Sequence, residues 1–149
     1  MSEQEASGDE GGGPSGSGVD ATAVARGMGI RREVLGDEYV NNATASKTEA
    51  QGAFQDLVAG YCWGSVWGRD QLSRRERSLM NLAMLTALNR PHEIAIHVTG
   101  ALNNGLQPYE IEEVFLHSMP YCGVPAAIDG ARVARPILEA WKEANPDAT

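Results

Sequence analysis

The apolar block LMNLAMLTAL at residues 79–88 constrains the fold of this chain more than any other stretch. Ser73 and Glu76 precede it at the S-x-x-E spacing of a capping box, which is typical of a helix start. The helix that follows would be apolar on nearly all sides, so we expect it to be buried. No stretch of useful length alternates between apolar and polar residues, as a half-buried strand does. The sequence therefore predicts an all-α fold.

Proline and glycine positions divide the rest of the chain into further helices. We expect about six: 20–35 ending at Gly36, 49–61, the capped helix after Ser73, 91–105, 108–120, and a last helix from the YCGVP turn (121–125) to Trp141, with a kink at Pro136. Two glycines interrupt CWGSVWGRDQL at 62–72, which predicts a turn or a broken helix. Residues 1–19 are a Gly/Ser/acidic stretch that cannot bury enough surface to fold, so we expect a disordered tail and one domain over 20–145.

Charge and composition argue against several kinds of partner. The formal net charge is −8 at pH 7, which disfavours nucleic acid and anionic membrane surfaces. No apolar run approaches the roughly 18–20 residues of a membrane span, and no secretory signal pattern is found, so we expect a cytoplasmic protein. Cys62 and Cys122 form no C-x-x-C pair. We expect both to be buried small apolar residues, without a disulfide.

Glu93 and His97 are the first candidates for catalysis. They are four residues apart, so they share one helix face, and Gly100 on the same stripe leaves open volume beside it. A carboxylate and an imidazole in such a place can move a proton. The same spacing also fits a structural histidine with its carboxylate partner, and the spacing alone leaves both interpretations open.

Other polar residues fit less specific roles. Glu113 and His117 repeat the four-residue spacing but lie away from the apolar side of their helix, so we interpret them as a solvated pair. Three histidines without an H-x-x-x-H spacing predict no metal site. Trp63 and Trp67, also four apart, are interpreted as core or interface anchors.

Arginines cluster at two places, and such clusters are usually solvated. One comprises Arg31 and Arg32 in the first helix; the other surrounds the start of the capped helix and comprises Arg69, Arg74, Arg75 and Arg77. Arg77 differs from the rest because it lies directly before the apolar block and should point partly inward. An inward guanidinium needs an anion, which could be Glu93 or a substrate carboxylate.

From residue 29 to about residue 141 the chain resembles the 4-carboxymuconolactone decarboxylase family. The matching stretches are RREVLG (31–36), CWGSVWGRDQLSRRERSLMNLAMLTAL (62–88), HEIAIHVTGALNNG (92–105), EIEEVFLHSMPYCGVPAA (110–127) and the terminal helix. The resemblance implies an alkylhydroperoxidase-like helical bundle. Proteins of that wider group carry C-x-x-C-x-x-x-H, whereas here Arg90 and Glu93 stand at the thiol positions before His97, so a dithiol peroxidase is not expected.

The resemblance also implies an activity and its residues. We expect a carboxy-lyase that converts 4-carboxymuconolactone to the β-ketoadipate enol-lactone in aromatic catabolism, with no metal or organic cofactor. Glu93 and His97 are then the catalytic residues. Arg77 and Arg32 are then the residues that bind the anionic lactone. The resemblance does not say which of Glu93 and His97 transfers the proton.

A homo-oligomer, either a trimer or a hexamer, is expected as well. The resemblance implies ring-like assemblies, and Trp63, Trp67, Met80 and Met84 offer more apolar surface than one small core buries. Two alternatives stay open at this stage. The chain could be a family member that isomerises or cyclises another lactone, or a helical oligomer without catalytic activity.

Overall fold

A computed structural model describes residues 18–45 and 48–148, and these residues form helices and turns without a strand. The helices are α1 (Ala21–Leu35), α2 (Asp37–Thr44), α3 (Glu49–Leu57), a π-helix (Val58–Trp67), α4 (Arg74–Ala87), α5 (Pro91–Asn103), α6 (Pro108–Cys122) and α7 (Val124–Ala144). The predicted all-α class is confirmed. The predicted tail lies outside the described residues except for Gly18 and Val19, and the short helix α2 was not predicted.

The predicted helix starts are confirmed. They could be predicted because each has a local chemical cause. Asp20 begins α1 and accepts hydrogen bonds from the backbone N–H groups of Thr22 and Ala23, at 3.2 and 3.1 Å. Ser73 and Glu76 form the capping box of α4. Helices α5 and α6 each begin with a proline, whose missing N–H is not needed at the first helical position.

Of the two structures predicted for 62–72, the broken helix is observed: the helix continues with π geometry to Trp67, and turns follow at 68–72. Gly64 serves close packing against α1, and Gly68 is the C-cap at which the π-helix ends. A Cβ on Gly64 would lie 2.4 Å from the carbonyl oxygen of Ala23, and one on Gly27 would lie 1.8 Å from that of Ala59. Helix α1 and the π-helix therefore pack backbone to backbone.

Helix α5 lies between two apolar clusters. The larger cluster joins α4, α5, α6 and α7, with Leu82, Val98 and Ile111 at its centre. The smaller cluster contains Val34, Val40 and Trp63, with Ile96 of α5 packed against it. Opposite sides of α5 thus face different layers, and this places its middle turns, including His97, at the boundary between them.

Helix α4 is less buried than its sequence predicts. Arg77, Ser78, Leu82 and Thr86 face inward, whereas Met80, Met84 and Leu88 are 45%, 54% and 65% exposed in the single chain. The expectation of burial on nearly all sides is therefore wrong for one chain, because α5, α6 and α7 cover one side of α4. No helix among the described residues combines the length and apolar character needed to cross a membrane.

Candidate active site

His97 lies in the middle of α5, half-buried against two tryptophan rings. Its ring centre is 6.3 Å from that of Trp63 and 6.4 Å from that of Trp67, with the planes within 12° and 20° of parallel. The two indoles also contact each other, at 4.9 Å. The tryptophans interpreted as core or interface anchors thus pack beside the imidazole, and this group of three rings is called the aromatic pocket below.

This burial changes the acid–base properties of the imidazole. Loss of solvation disfavours the charged ring and lowers the pKa of His97 to about 4, although the nearby charge of Glu93 acts in the opposite direction. The imidazole of the substrate-free chain is therefore neutral at neutral pH. A neutral ring has one N–H to donate and one nitrogen that can accept a proton.

Glu93 lies one turn before His97 on α5, and its side chain is exposed. Both residues lie in α5 four positions apart and therefore share one face, and the charge of Glu93 acts to raise the pKa of His97. Within the described residues no hydrogen bond joins the two side chains. The carboxylate is therefore close enough to act on the imidazole and open enough to exchange protons with solvent.

Arg77 points inward, as the sequence predicts, and is 8% exposed. Its Nη2 donates to the carbonyl oxygen of Arg69 at 3.1 Å, while its Nε is buried without an acceptor. No ion pair between Arg77 and Glu93, or any other carboxylate, is found in the described ranges. Among the described residues, the predicted need of Arg77 for an anion is thus not met by an ion pair.

Arg32 lies on the other side of α1 from the aromatic pocket. Its Nη1 is 3.0 Å from Asp37 and 2.8 Å from Asn41, at the surface. The structure therefore does not bring Arg32 together with His97 inside one chain. Its neighbour Arg31 is instead buried, with Nη1 donating to the Oε1 of Gln55 at 2.8 Å, and sequence reasoning did not single it out.

A cleft of about 590 Å³ borders the site. It lies between α1, the end of the π-helix and the start of α4, and its lining includes Ile30, Trp67, Arg69, Ser73 and Arg74. Trp67 contributes to this cleft and also contacts His97. The cleft therefore shares Trp67 with the aromatic pocket, whereas His97 and Trp63 do not line it.

The remaining candidates lie elsewhere. His117 and Glu113 are exposed on α6, in agreement with a solvated pair. Cys62 is exposed and Cys122 is half-buried, so the expectation that both are buried is wrong; both are free thiols. Among the described residues, no group of three His, Cys, Asp or Glu side chains could hold a metal ion.

These features define an all-helical protein of the alkylhydroperoxidase-like class. Residues 52–136 match the model of the carboxymuconolactone decarboxylase family. The chain belongs to this family, and the resemblance seen in the sequence is confirmed.

Two relatives support the assignment. The chain is 38% identical over 112 residues to the nitrosuccinic acid decarboxylase npaB of Metarhizium robertsii, covering 75% of this chain and 78% of the relative. It is 33% identical over 120 residues to the 4-carboxymuconolactone decarboxylase of Acinetobacter baylyi, covering 80% and 90%. Both relatives are named decarboxylases, and the predicted enzyme class, a carboxy-lyase of this family, is confirmed.

Proposed function

We propose that this enzyme removes CO2 from a small dicarboxylate that carries its own electron acceptor, and that 4-carboxymuconolactone is its substrate. The observation that carries the proposal is the neutral, half-buried His97 within the aromatic pocket, in a chain whose inward Arg77 has no ion pair among the described residues. Such a pocket suits a reaction in which one carboxylate leaves as neutral CO2 while a second negative charge stays bound.

The reaction needs no external electron sink. The departing carboxylate of 4-carboxymuconolactone is on the ring carbon γ to the lactone carbonyl. When its C–C bond breaks, the electron pair moves through the ring double bond to the carbonyl oxygen. One proton then adds to the α carbon, and the enol-lactone results. Because the lactone itself accepts the electrons, neither pyridoxal phosphate nor thiamine is required.

Each proposed site residue has a separate task. His97 donates a hydrogen bond to the oxygen that becomes negative, an effect worth about 3–4 kcal/mol for a well-placed donor. Bound substrate carboxylates would raise the pKa of His97, so that the Glu93–His97 pair can deliver the proton. Arg77 binds the substrate carboxylate that the reaction retains. Arg32 can do the same only if the site includes a second chain, because it points away from the pocket.

A second substrate is favoured by the relative with 38% identity, which is named for nitrosuccinic acid. Nitrosuccinic acid also carries its own electron acceptor, the nitro group. Loss of the carboxylate next to the nitro group leaves an electron pair that the nitro oxygens accept, and one proton then adds to the carbon. The same pocket could therefore hold either 4-carboxymuconolactone or nitrosuccinic acid, with the indoles beside the leaving carboxylate.

The biological setting completes the proposal. We place the enzyme in the cytoplasm, in the β-ketoadipate route of aromatic catabolism, as a homo-oligomer. Two free thiols and the acidic net charge support this setting, and exposed apolar side chains on α4 support the assembly.

Ultraviolet absorbance of purified protein with 4-carboxymuconolactone, and in parallel with nitrosuccinate, tests the proposal. We expect turnover of one of them to survive dialysis against EDTA. Activity that EDTA removes and a divalent metal restores would contradict the cofactor-independent reaction. Conversion of an unsaturated lactone without CO2 release would instead support an isomerase or cyclase. If the protein neither binds nor converts any of these compounds, a non-catalytic oligomer would be supported.

A further inference from the structure

The ten arginines of this protein differ in burial and in ion pairing, and four of them are exposed without an ion pair among the described residues: Arg26, Arg69, Arg90 and Arg135. Among the described residues, four exposed or half-exposed arginines each have a carboxylate within 4 Å: Arg32, Arg74, Arg75 and Arg132. The two buried ones, Arg31 and Arg77, have none there, and the Nε of each lacks an acceptor. Carboxylates are thus paired with arginines at the surface, where an ion pair stabilises the fold little. They are not found beside the buried arginines, where an unpaired charge costs most.

Arg31 is the more deeply buried of the two, with 6% of its surface exposed. A neutral amide oxygen, Oε1 of Gln55, accepts from its Nη1 at 2.8 Å. A guanidinium does not lose its proton at any physiological pH, so it cannot avoid the penalty of burial by becoming neutral. A buried cation with one neutral acceptor is therefore a site prepared for an anion.

The position of Arg31 relates it to the aromatic pocket. Gln55, Ala59 and Trp63 follow one another at four-residue intervals along α3 and the π-helix. Arg31 contacts the first of these residues, and His97 contacts the last. The same helix α1 also packs Val34 and Leu35 against Trp63. Arg31 and His97 are therefore linked through the elements that hold Gln55 and Trp63.

We propose that Arg31, together with Gln55, binds the substrate carboxylate that the reaction retains. This inference rests on the proposed function and adds a binding residue to it. A guanidinium is unsuited to the departing carboxylate, because that ion pair would be lost as CO2 forms and would stabilise the ground state more than the transition state. The retained carboxylate keeps its charge throughout, so its contact with Arg31 is kept.

Substitution of Arg31 by methionine separates a ligand site from a structural role. Arg31→Met removes the charge but keeps an apolar stem of similar length, and replacing an unpaired buried cation in this way should leave the melting temperature of the free protein equal or higher. Arg132→Met is the matched control, because Arg132 is exposed and has its own carboxylate, Asp129.

The first measurement is the melting temperature with succinate or propionate, a dicarboxylate and a monocarboxylate that do not react. We expect succinate to raise it more than propionate in the wild type and in Arg132→Met, and this difference to vanish in Arg31→Met. A wild type that does not distinguish the two compounds, or an Arg31→Met variant that still does, would overturn the inference. Neither result depends on which substrate the enzyme turns over. Failure of this inference can therefore be distinguished from failure of the proposed function.

The second measurement uses turnover of the dicarboxylate and of an analogue whose retained carboxylate is an amide. Arg31→Met should lower kcat/KM for the dicarboxylate about 10- to 100-fold, mainly through KM, and change that of the amide little. Arg31→Lys should recover part of the loss, since it restores charge without the planar fork. Equal losses for both compounds, or a free Arg31→Met protein that melts lower and dissociates on size exclusion, would assign Arg31 to structure or to a partner chain and overturn the proposal.

Discussion

His97 links the acid–base chemistry of the site to the stability of the fold. Its pKa is about 4 in the folded chain, below its ordinary value of about 6.5. Above pH 6.5 the ring is neutral in both states and contributes no pH dependence. As the pH falls from about 6.5 to about 4, the unfolded chain binds a proton that the folded chain does not, so the free energy of unfolding falls by at most about 3 kcal/mol.

Urea unfolding of wild type and His97→Gln at several pH values between 3.5 and 8 measures this effect. We expect the wild type to lose stability relative to the variant between pH 6.5 and 4, and the difference between them to be flat outside that window. A constant difference across the whole range would show that His97 is not shielded from solvent in the folded protein.

The catalytic assignment of Glu93 and His97 predicts large kinetic effects. We expect His97→Ala and Glu93→Ala each to lower kcat by at least roughly 100-fold, the scale of a positioned acid or base. His117→Ala is the control, since His117 is exposed on α6 and contacts Tyr121 away from the pocket. Steady-state assays with the substrate that wild type turns over provide the measurement, and a sensitive His117 with a silent His97 would place the site on α6.

The sequence predicted the position of a residue correctly where its spacing defines which face of the helix it lies on. It failed where spacing does not define that face. The four-residue interval placed Glu93 and His97 on one face, and the apolar block turned Arg77 inward. Arg31 and Arg32 are adjacent in one helix, so composition cannot say which of them is buried. That depends on α3 and the π-helix packing over one side of α1, a long-range contact that has no signature in the local sequence.

At the scale of the element, the π-helix shows why glycine is an ambiguous signal. A glycine inside an apolar run fits a helix end, and it equally fits a close approach of two backbones. The capping residues and prolines are less ambiguous, because each acts on the backbone beside it, and the helix starts they predict are confirmed. The continuation through Gly60 and Gly64 is fixed by α1, which is distant in sequence.

Two glycines of α1 provide a paired test of this packing. A methyl group on Gly27 would overlap the carbonyl of Ala59, whereas nothing lies within 4 Å of one on Gly29. We expect Gly27→Ala to destabilise by about 1–3 kcal/mol through overpacking, and Gly29→Ala to stabilise by about 0.5–1 kcal/mol through helix propensity. Thermal and urea unfolding of both variants measure the contrast; equal effects of the two substitutions would contradict backbone contact between α1 and the π-helix.

At the scale of the whole molecule, exposed apolar side chains lie on several helices, and two groups of them bear on the assembly. Met80, Met84 and Leu88 form an exposed stripe on α4, and Phe54 and Tyr61 are exposed along α3 and the π-helix. Contiguous apolar patches of this kind are typical of interfaces, and homo-oligomers favour closed symmetry. The second stripe lies on the outer side of the elements that hold Trp63 and Gln55, so an assembly covering it would also enclose the site.

We therefore expect a trimer or hexamer in solution and a monomer of 15.9 kDa after the α4 stripe is charged. Light scattering coupled to size exclusion should show dissociation for Met84→Glu and none for Ala140→Glu, an exposed position on α7 outside both stripes. Full activity in a wild-type monomer would contradict the assembly.

The exposed position of Arg32 makes a final prediction about the site itself. Inside one chain it pairs with Asp37 and Asn41 and cannot reach His97, so its predicted role in substrate binding requires the pocket of a neighbouring chain. Inactive His97→Ala and impaired Arg32→Ala proteins, mixed under conditions where subunits exchange, should then recover activity, because some pockets receive an intact residue from each chain. No recovery despite exchange shown by mass spectrometry would place each site within one chain and remove Arg32 from it. Arg31 and Arg77, both buried within the chain, would then be the arginines left to hold the substrate.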